Sequence, residues 1–197
     1  TSGNISDEPI CIDEKEAISY LGSIADGFLV HNRAIVQAID DSIVQVVLGK
    51  EMLLRRARGY SSLITEFTDC SSGILALGAQ LKNTVAFSLE NGIYLSQHLG
   101  DLHNKKTFDN FQETITKINK IYNIKISNII HDLHPEYLST KYAQSQSLNS
   151  LAVQHHYAHA LACMAENQLT GNVFAVVWDG SGYGTDGTIW GGEFLQI

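Results

Sequence analysis

No stretch of the chain stays apolar for the roughly 18 residues that a membrane-crossing helix requires. Positive charge is scarce, with 13 Lys and Arg against 21 Asp and Glu and a formal net charge of −8. Such a balance does not hold a nucleic-acid backbone through bulk charge, so neither nucleic acid nor membrane is expected as a partner. Cysteine is sparse as well. Cys11, Cys70 and Cys163 are odd in number, lie far apart and form no CxxC pair, so neither a disulfide framework nor a thiolate zinc site is indicated. The first residues carry no signal-peptide pattern, and a reducing cytoplasm is the expected compartment. What is present fits a globular core: 44% of the residues are hydrophobic and 17% are charged.

The chain reads in three zones. Residues 1–60 hold a turn-rich opening, an amphipathic helix at Glu14–Leu21, strand-like runs at Gly27–Val30 and Ser42–Leu48, and a basic run at Lys50–Arg58. Residues 61–72 are rich in Ser and Thr and read as a linker. From Gly73 onward, short strand-like runs (Gly73–Gln80, Thr84–Leu89, Gly92–Ser96) are joined by turns at Lys82-Asn83 and Glu90-Asn91-Gly92, the latter a hairpin signal. Phe108, Phe111, Ile115, Ile118 and Ile121 recur at three and four residues, which predicts a helix over Thr107–Tyr122. A strand at Ile124–Ile130, a short helix or loop at Leu138–Ser147, a helix at Val153–Asn167 and strands at Val173–Trp178 and Thr188–Ile197 complete the pattern. The class is α/β. Both ends read as cut, as in an internal slice of a longer protein.

Histidine is unevenly distributed: five of the eight fall between His131 and His159. Within a helix starting near Val153, His155 and His159 lie one turn apart on one face, a geometry that chelates a metal. His156 is turned by about 100° and serves another partner. The residue after His155 is not the Glu of an HExxH helix, so peptidase chemistry is not indicated. A polar helix start with satisfied histidines fits the spacing equally well. Asp179, at the end of an apolar strand, is a candidate third ligand or a turn residue, and the set does not choose among iron, zinc and manganese. The loop from Asp179 to Gly187 has glycine at 180, 182, 184 and 187, which suits either a phosphate cradle or a plain hairpin. Lys82 and Asn83 offer a second phosphate contact or a solvated turn. His131 and His134, around Asp132 and ahead of Pro135, are loop braces or site contacts. Arg55, Arg56 and Arg58 can grip an oxyanion or make a solvated basic face, and the Thr1–Asn4 turn can line an anion pocket or only reverse the chain.

Eight motifs occur in order: TSGNISDEPI, HNR…DDSI, LLRRARGY, LGAQLKNT, YLSQHLGDL, HDLHPEYLST, VQHHYAH and DGSGYGTDGTIWGGEF. Together they resemble the HypF family, the carbamoyltransferases of [NiFe]-hydrogenase maturation. The resemblance implies that residues 1–60 are the end of an α+β YrdC-like unit, which joins carbamate from carbamoyl phosphate to ATP as carbamoyl-adenylate. It implies that 73–197 begin an actin/sugar-kinase-like (ASKHA) α/β unit, which passes the carbamoyl group to the C-terminal Cys of the partner HypE. Both units would be incomplete, with the family's zinc fingers absent and the fragment inactive by itself. By the same resemblance His155, His159 and Asp179 match the metal ligands, and a further acidic ligand is expected past Ile197. Gly180, Ser181, Gly182, Tyr183 and Gly184 match the nucleotide phosphate loop, while Ser2, Asn4, Arg33 and Arg58 fall in YrdC-like pocket motifs. The chain departs from the family pattern at Ala34, Ala38 and Ser61-Ser62, where Arg or Pro is usual. Two other readings are an antibiotic O-carbamoyltransferase, disfavoured by domain order, and a non-catalytic nucleotide- or metal-binding remnant.

Overall fold

The strongest apolar periodicity of the chain becomes the wall of its core. The computed structural model describes every residue except Thr1, Ser2, Asp7, Ser62, Leu63, Thr68 and Asp69. In chain order the elements are α1 (Glu14–Leu21), β1 (Ile43–Val47), β2 (Lys50–Arg55), β3 (Ile64–Glu66), β4 (Ile74–Ala76), β5 (Ala86–Leu89), β6 (Gly92–Leu95) and α2 (Lys105–Tyr122). They continue as β7 (Asn128–Asp132), α3 (Leu138–Ser145), β8 (Asn149–Val153), α4 (His155–Glu166), β9 (Phe174–Val177), β10 (Gly182–Tyr183), β11 (Ile189–Trp190) and β12 (Glu193–Gln196). The fold is mixed α/β.

Six strands form the main sheet in the order β3-β6-β5-β4-β7-β8. The β5–β6 hairpin closes through Glu90-Asn91, and Leu89 pairs with Gly92. From β4 the sheet turns parallel, and β7-α3-β8 is a crossover unit whose register sets Asp132 opposite Val153. Phe111, Ile115 and Ile118 of α2 meet Leu75, Phe87 and Ile129 of the sheet in one buried cluster. Helix α2 starts where Asn104 Oδ1 accepts from the amides of Lys106 and Thr107. It ends at Asn123, which takes the left-handed conformation at φ 48°.

Several sequence expectations shift. The Gly27–Val30 run is no strand; it finds no pairing partner among the described residues, and Leu29 is fully exposed. The 61–72 segment, expected as a linker, supplies β3, whose Ile64 and Glu66 pair with Tyr94 and Gly92. The strand expected at Ile124–Ile130 starts later and reaches Asp132, because β8 pairs with it through Val153. The helix expected from Val153 begins at His155, and the last expected strand breaks at Gly191-Gly192 into β11 and β12.

Residues 1–60 rest on the larger unit through polar contacts. Lys106 Nζ donates to Glu8 Oε2 and Glu16 Oε1, each at 2.9 Å, and lies 3.7 Å from the centre of the Tyr20 ring. Burial opposes the Lys106 charge, but its bonds to the two carboxylates outweigh that and raise its pKa. His98 Nδ1 lies 2.9 Å from Asp40 Oδ2, and the His98 amide donates to the Arg56 carbonyl.

Candidate functional site

Parallel strands bring their C-terminal ends to one edge, and here those ends carry the chemistry. Strand β7 ends at Asp132, and β8 hands over to α4 through Gln154. Gln154 caps that helix: its Oε1 accepts from the Tyr157 amide at 2.9 Å. Helical spacing then sets His155 beside His159, with their Nε2 atoms 3.2 Å apart. Asp179 follows β9 by two residues and directs Oδ2 to within 2.9 Å of His155 Nε2 and 3.8 Å of His159 Nε2. One ligand atom from each of the three lies within 4.8 Å of the others. His156 faces away and is fully buried.

The donor set fits a divalent metal. Two imidazole nitrogens and a carboxylate oxygen converge, and the facing nitrogens are too close for both to carry protons. Such a trio suits iron, zinc or manganese, and the ion would act as a Lewis acid. A fourth residue completes the cluster, and motif reading passed over it. Asp132 Oδ2 lies 2.6 Å from His155 Nδ1, while its Oδ1 accepts from the His134 amide at 2.8 Å. The bond to Asp132 holds the His155 imidazolium above the ordinary imidazole range, against burial and with help from Asp179. Burial and the neighbouring His155 lower the pKa of His159. In the sequence Asp132 stands only as the residue between His131 and Leu133 of the HDLHP motif, and nothing local marks it as a partner of the HHxxH helix. His131 and His134 stay outside the cluster. His131 bonds the Asp132 carbonyl, and His134 stacks on Tyr137 at 4.1 Å.

The glycine loop packs directly on α4. A Cβ on Gly182 would meet His156 Cε1 at 2.5 Å, and one on Gly184 would meet Trp190 Nε1 at 2.1 Å. Glycine is therefore required at both by close approach within the chain. Gly180 faces open space instead, and its amide donates to Asp179 Oδ1 at 2.9 Å. Ser181 is exposed beside it; the Tyr183 ring stands edge-on to His134, and the Tyr183 carbonyl accepts from Gln154 Nε2 at 3.4 Å. Asp186 Oδ1 closes the hairpin by accepting from the Thr188 amide, the Thr188 hydroxyl and Trp190 Nε1. A cavity of about 500 Å³, lined by His159, Cys163, Trp178 and Asp179, opens beside the histidines.

The remaining candidates gather elsewhere. Asn4 and Lys82 line a cavity of about 510 Å³ together with Asp40, Arg55 and His98, where residues 1–60 meet the larger unit. Asn4 also braces its own turn by donating to the Ile5 and Glu8 carbonyls. Asn83, expected beside Lys82 as a phosphate contact, points inward instead: it is 2% exposed and its amide donates to the Leu77 and Ala79 carbonyls. Arg55, not Arg58, reaches this cavity; Arg58 lies 3.9 Å from Asp41 with its side chain exposed. Arg33 is exposed and is not among the lining residues. Ser2 lies outside the described residues.

A mixed α/β unit that joins a histidine–aspartate cluster to a glycine hairpin, with a smaller α+β segment docked on it, defines a class that comparison with known proteins names. The family model described as HypF Kae1-like domain matches residues 69–166. The model described as telomere recombination (Sua5, YciO and YrdC proteins) matches 1–57, and the second subdomain of the Kae1-like carbamoyltransferase domain matches 175–197. Carbamoyltransferase HypF of Synechocystis is 52% identical over 199 residues, covering 100% of this chain and 26% of the relative. That of Rhizobium leguminosarum bv. viciae is 38% identical over 197 residues, with coverage of 100% and 26%. A crystal structure of full-length HypF in the phosphate- and nucleotide-bound form superposes with a TM-score of 0.95 at 44% identity, covering 100% of this chain and 31% of that one. The structure of T. kodakarensis HypF gives 0.91 at 39% identity, with coverage of 100% and 26%. The chain belongs to the HypF carbamoyltransferase family. It spans 26% of the length of the curated relatives named above.

Proposed function

We propose that this chain serves ATP-dependent carbamoyl transfer, carrying the end of an adenylate-forming unit and the beginning of a transfer unit. In balanced form, carbamoyl phosphate is hydrolysed to carbamate and phosphate. Carbamate then displaces pyrophosphate from ATP to give carbamoyl-adenylate. A cysteine thiolate, that of the C-terminal residue of HypE, attacks the carbamoyl carbon, forming a thiocarbamate and releasing AMP. The observation that carries this reading is the packing of Gly182 against the first turn of α4, which sets the His155, His159 and Asp179 cluster beside the glycine loop. That layout supports a reading in which the histidine–aspartate cluster would hold an ion, and the glycine loop a nucleotide, beside one acyl group.

The chain's own groups divide the work. His155, His159 and Asp179 would hold the divalent ion, which supplies Lewis-acid polarisation of a carbonyl oxygen. The exposed Gly180-Ser181 stretch is open to phosphate oxygens, with Ser181 as a hydroxyl donor. Lys82 and Arg55 would supply positive charge to an anionic substrate on a cavity wall that also carries Glu8, Asp40, Asp41 and Asp101. In this reading the acceptor is the C-terminal cysteine of the partner, and Cys163, which lines the cavity beside His159 and Asp179, is not assigned a role in the transfer.

The test is a chimera in which this chain replaces the corresponding segment of the Synechocystis relative. Supplied with carbamoyl phosphate and ATP, it should release pyrophosphate only when carbamoyl phosphate is present, and should carbamoylate the C-terminal cysteine of HypE. A folded chimera that binds ATP but leaves the cysteine unmodified would overturn the proposal.

A further inference from the structure

His155 lies between two carboxylates, one on each ring nitrogen. Nε2 faces Asp179 and His159, while Nδ1 faces Asp132 at 2.6 Å. An imidazole that gives its Nε2 lone pair to a metal must keep its proton on Nδ1. The acceptor at Nδ1 therefore decides whether the ligand is competent. The side chain of Asp132 is only 5% exposed, and its sole ionic partner among the described residues is His155. A carboxylate buried that deeply must satisfy both oxygens with donors, and it does so with His134 N–H and His155 Nδ1. It is also held rigidly: the Asp132 carbonyl accepts from Thr140 Oγ1 at 3.0 Å and is bonded by His131 Nδ1 at 2.7 Å. No comparable carboxylate meets Nδ1 of His159 among the described residues, and that ring is the more exposed of the two.

We propose that Asp132 is the positioning residue of the metal centre, fixing His155 as the Nδ1-protonated tautomer with Nε2 free for the ion. The proposal rests on the reading of His155, His159 and Asp179 as the ligands. Its chemistry makes the substitution Asp132→Asn informative despite the near-identical shape. Both neighbours of the carboxylate are donors, and the one from His134 is a backbone N–H that cannot change. An amide has one acceptor oxygen. If that oxygen serves His134, the NH2 group faces His155 Nδ1, demands a lone pair there, and drives the proton onto Nε2.

The experiment uses zinc as the probe on the purified chain. With histidine labelled by 15N, long-range proton–nitrogen spectra read the tautomer of each ring directly. In the wild-type chain His155 should bind zinc through Nε2 with a proton on Nδ1 that exchanges slowly with solvent. Asp132→Asn should weaken zinc binding by about 10–100-fold in a competition titration and lose that slow proton. Asp132→Glu, which restores the charge, should recover part of the affinity. Zinc on Nδ1 of His155, or an unchanged affinity in a folded Asp132→Asn chain, overturns this proposal alone. A wild-type chain that takes up no zinc overturns the ligand reading and this proposal with it. Should Asp132→Asn fail to fold, the wild-type tautomer still decides.

Discussion

Replacing Gly182 by alanine puts a methyl group where none fits. Its Cβ would lie 2.5 Å from His156 Cε1, 2.7 Å from His156 Nδ1 and 2.9 Å from His155 Cβ. His156 has no room to retreat, being fully buried with Nδ1 held 2.9 Å from Gln154 Nε2. Either the hairpin lifts or the first turn of α4 moves, and both disturb the His155 side of the histidine–aspartate cluster. Overpacking of this kind costs about 1–3 kcal/mol. In a chain of this size each kcal/mol lowers Tm by roughly 2–4 °C, so the expected fall is about 2–12 °C. Gly180→Ala is the matched control: nothing lies within 4 Å of its added Cβ, and stability should change by less than about 0.5 kcal/mol. Differential scanning calorimetry of the two variants, with a zinc titration of each, reads both consequences. Equal melting temperatures and equal zinc affinities would refute the close packing of loop on helix.

Phe111→Ala should cost about 3–5 kcal/mol in chemical denaturation, because its fully buried ring packs edge-on to Tyr142 at 5.4 Å. Lys106→Met removes the cation shared by Glu8 and Glu16 and should loosen residues 1–60 from the larger unit. Hydrogen exchange should then speed up in α1 while the centre of α2 keeps its protection, and high salt should mimic part of the effect in the wild type. The hydrogen bond from His98 holds the Asp40 carboxyl below its ordinary value. Asp40 thus contributes stability that is complete above about pH 4 and is lost as the pH falls through its depressed folded pKa. Asp40→Asn should accordingly flatten the acid limb of the stability–pH curve, as read by urea titrations at several pH values.

What the sequence made legible followed from local spacing. The apolar residues of α2 recur at three and four, and the two outer histidines of HHYAH are one turn apart, so both helix faces could be written down in advance. The parts that escaped depend on partners far away in the chain. Strand β8 reads Asn-Ser-Leu-Ala-Val with mostly exposed side chains, so no alternation marks it, and only pairing with β7 makes it a strand. Asp132 meets His155 because the parallel register of those two strands places it opposite Val153. The Gly27–Val30 run misled in the opposite way, having strand-like residues but no pairing partner among the described residues. In the glycine loop the composition was plain, yet the reason for Gly182 and Gly184 lies in the His156 and Trp190 rings packed against them.

The most direct test of the proposed metal centre is elemental analysis of zinc-loaded chain in wild type and three single variants, each checked for folding by circular dichroism. The ligand atoms of His155, His159 and Asp179 converge within 4.8 Å, whereas His156 is buried on the other side of the turn. Wild type and His156→Ala should therefore retain zinc, and His155→Ala and His159→Ala should lose it. Zinc lost from a folded His156→Ala chain but retained by His155→Ala would contradict the assignment of the centre.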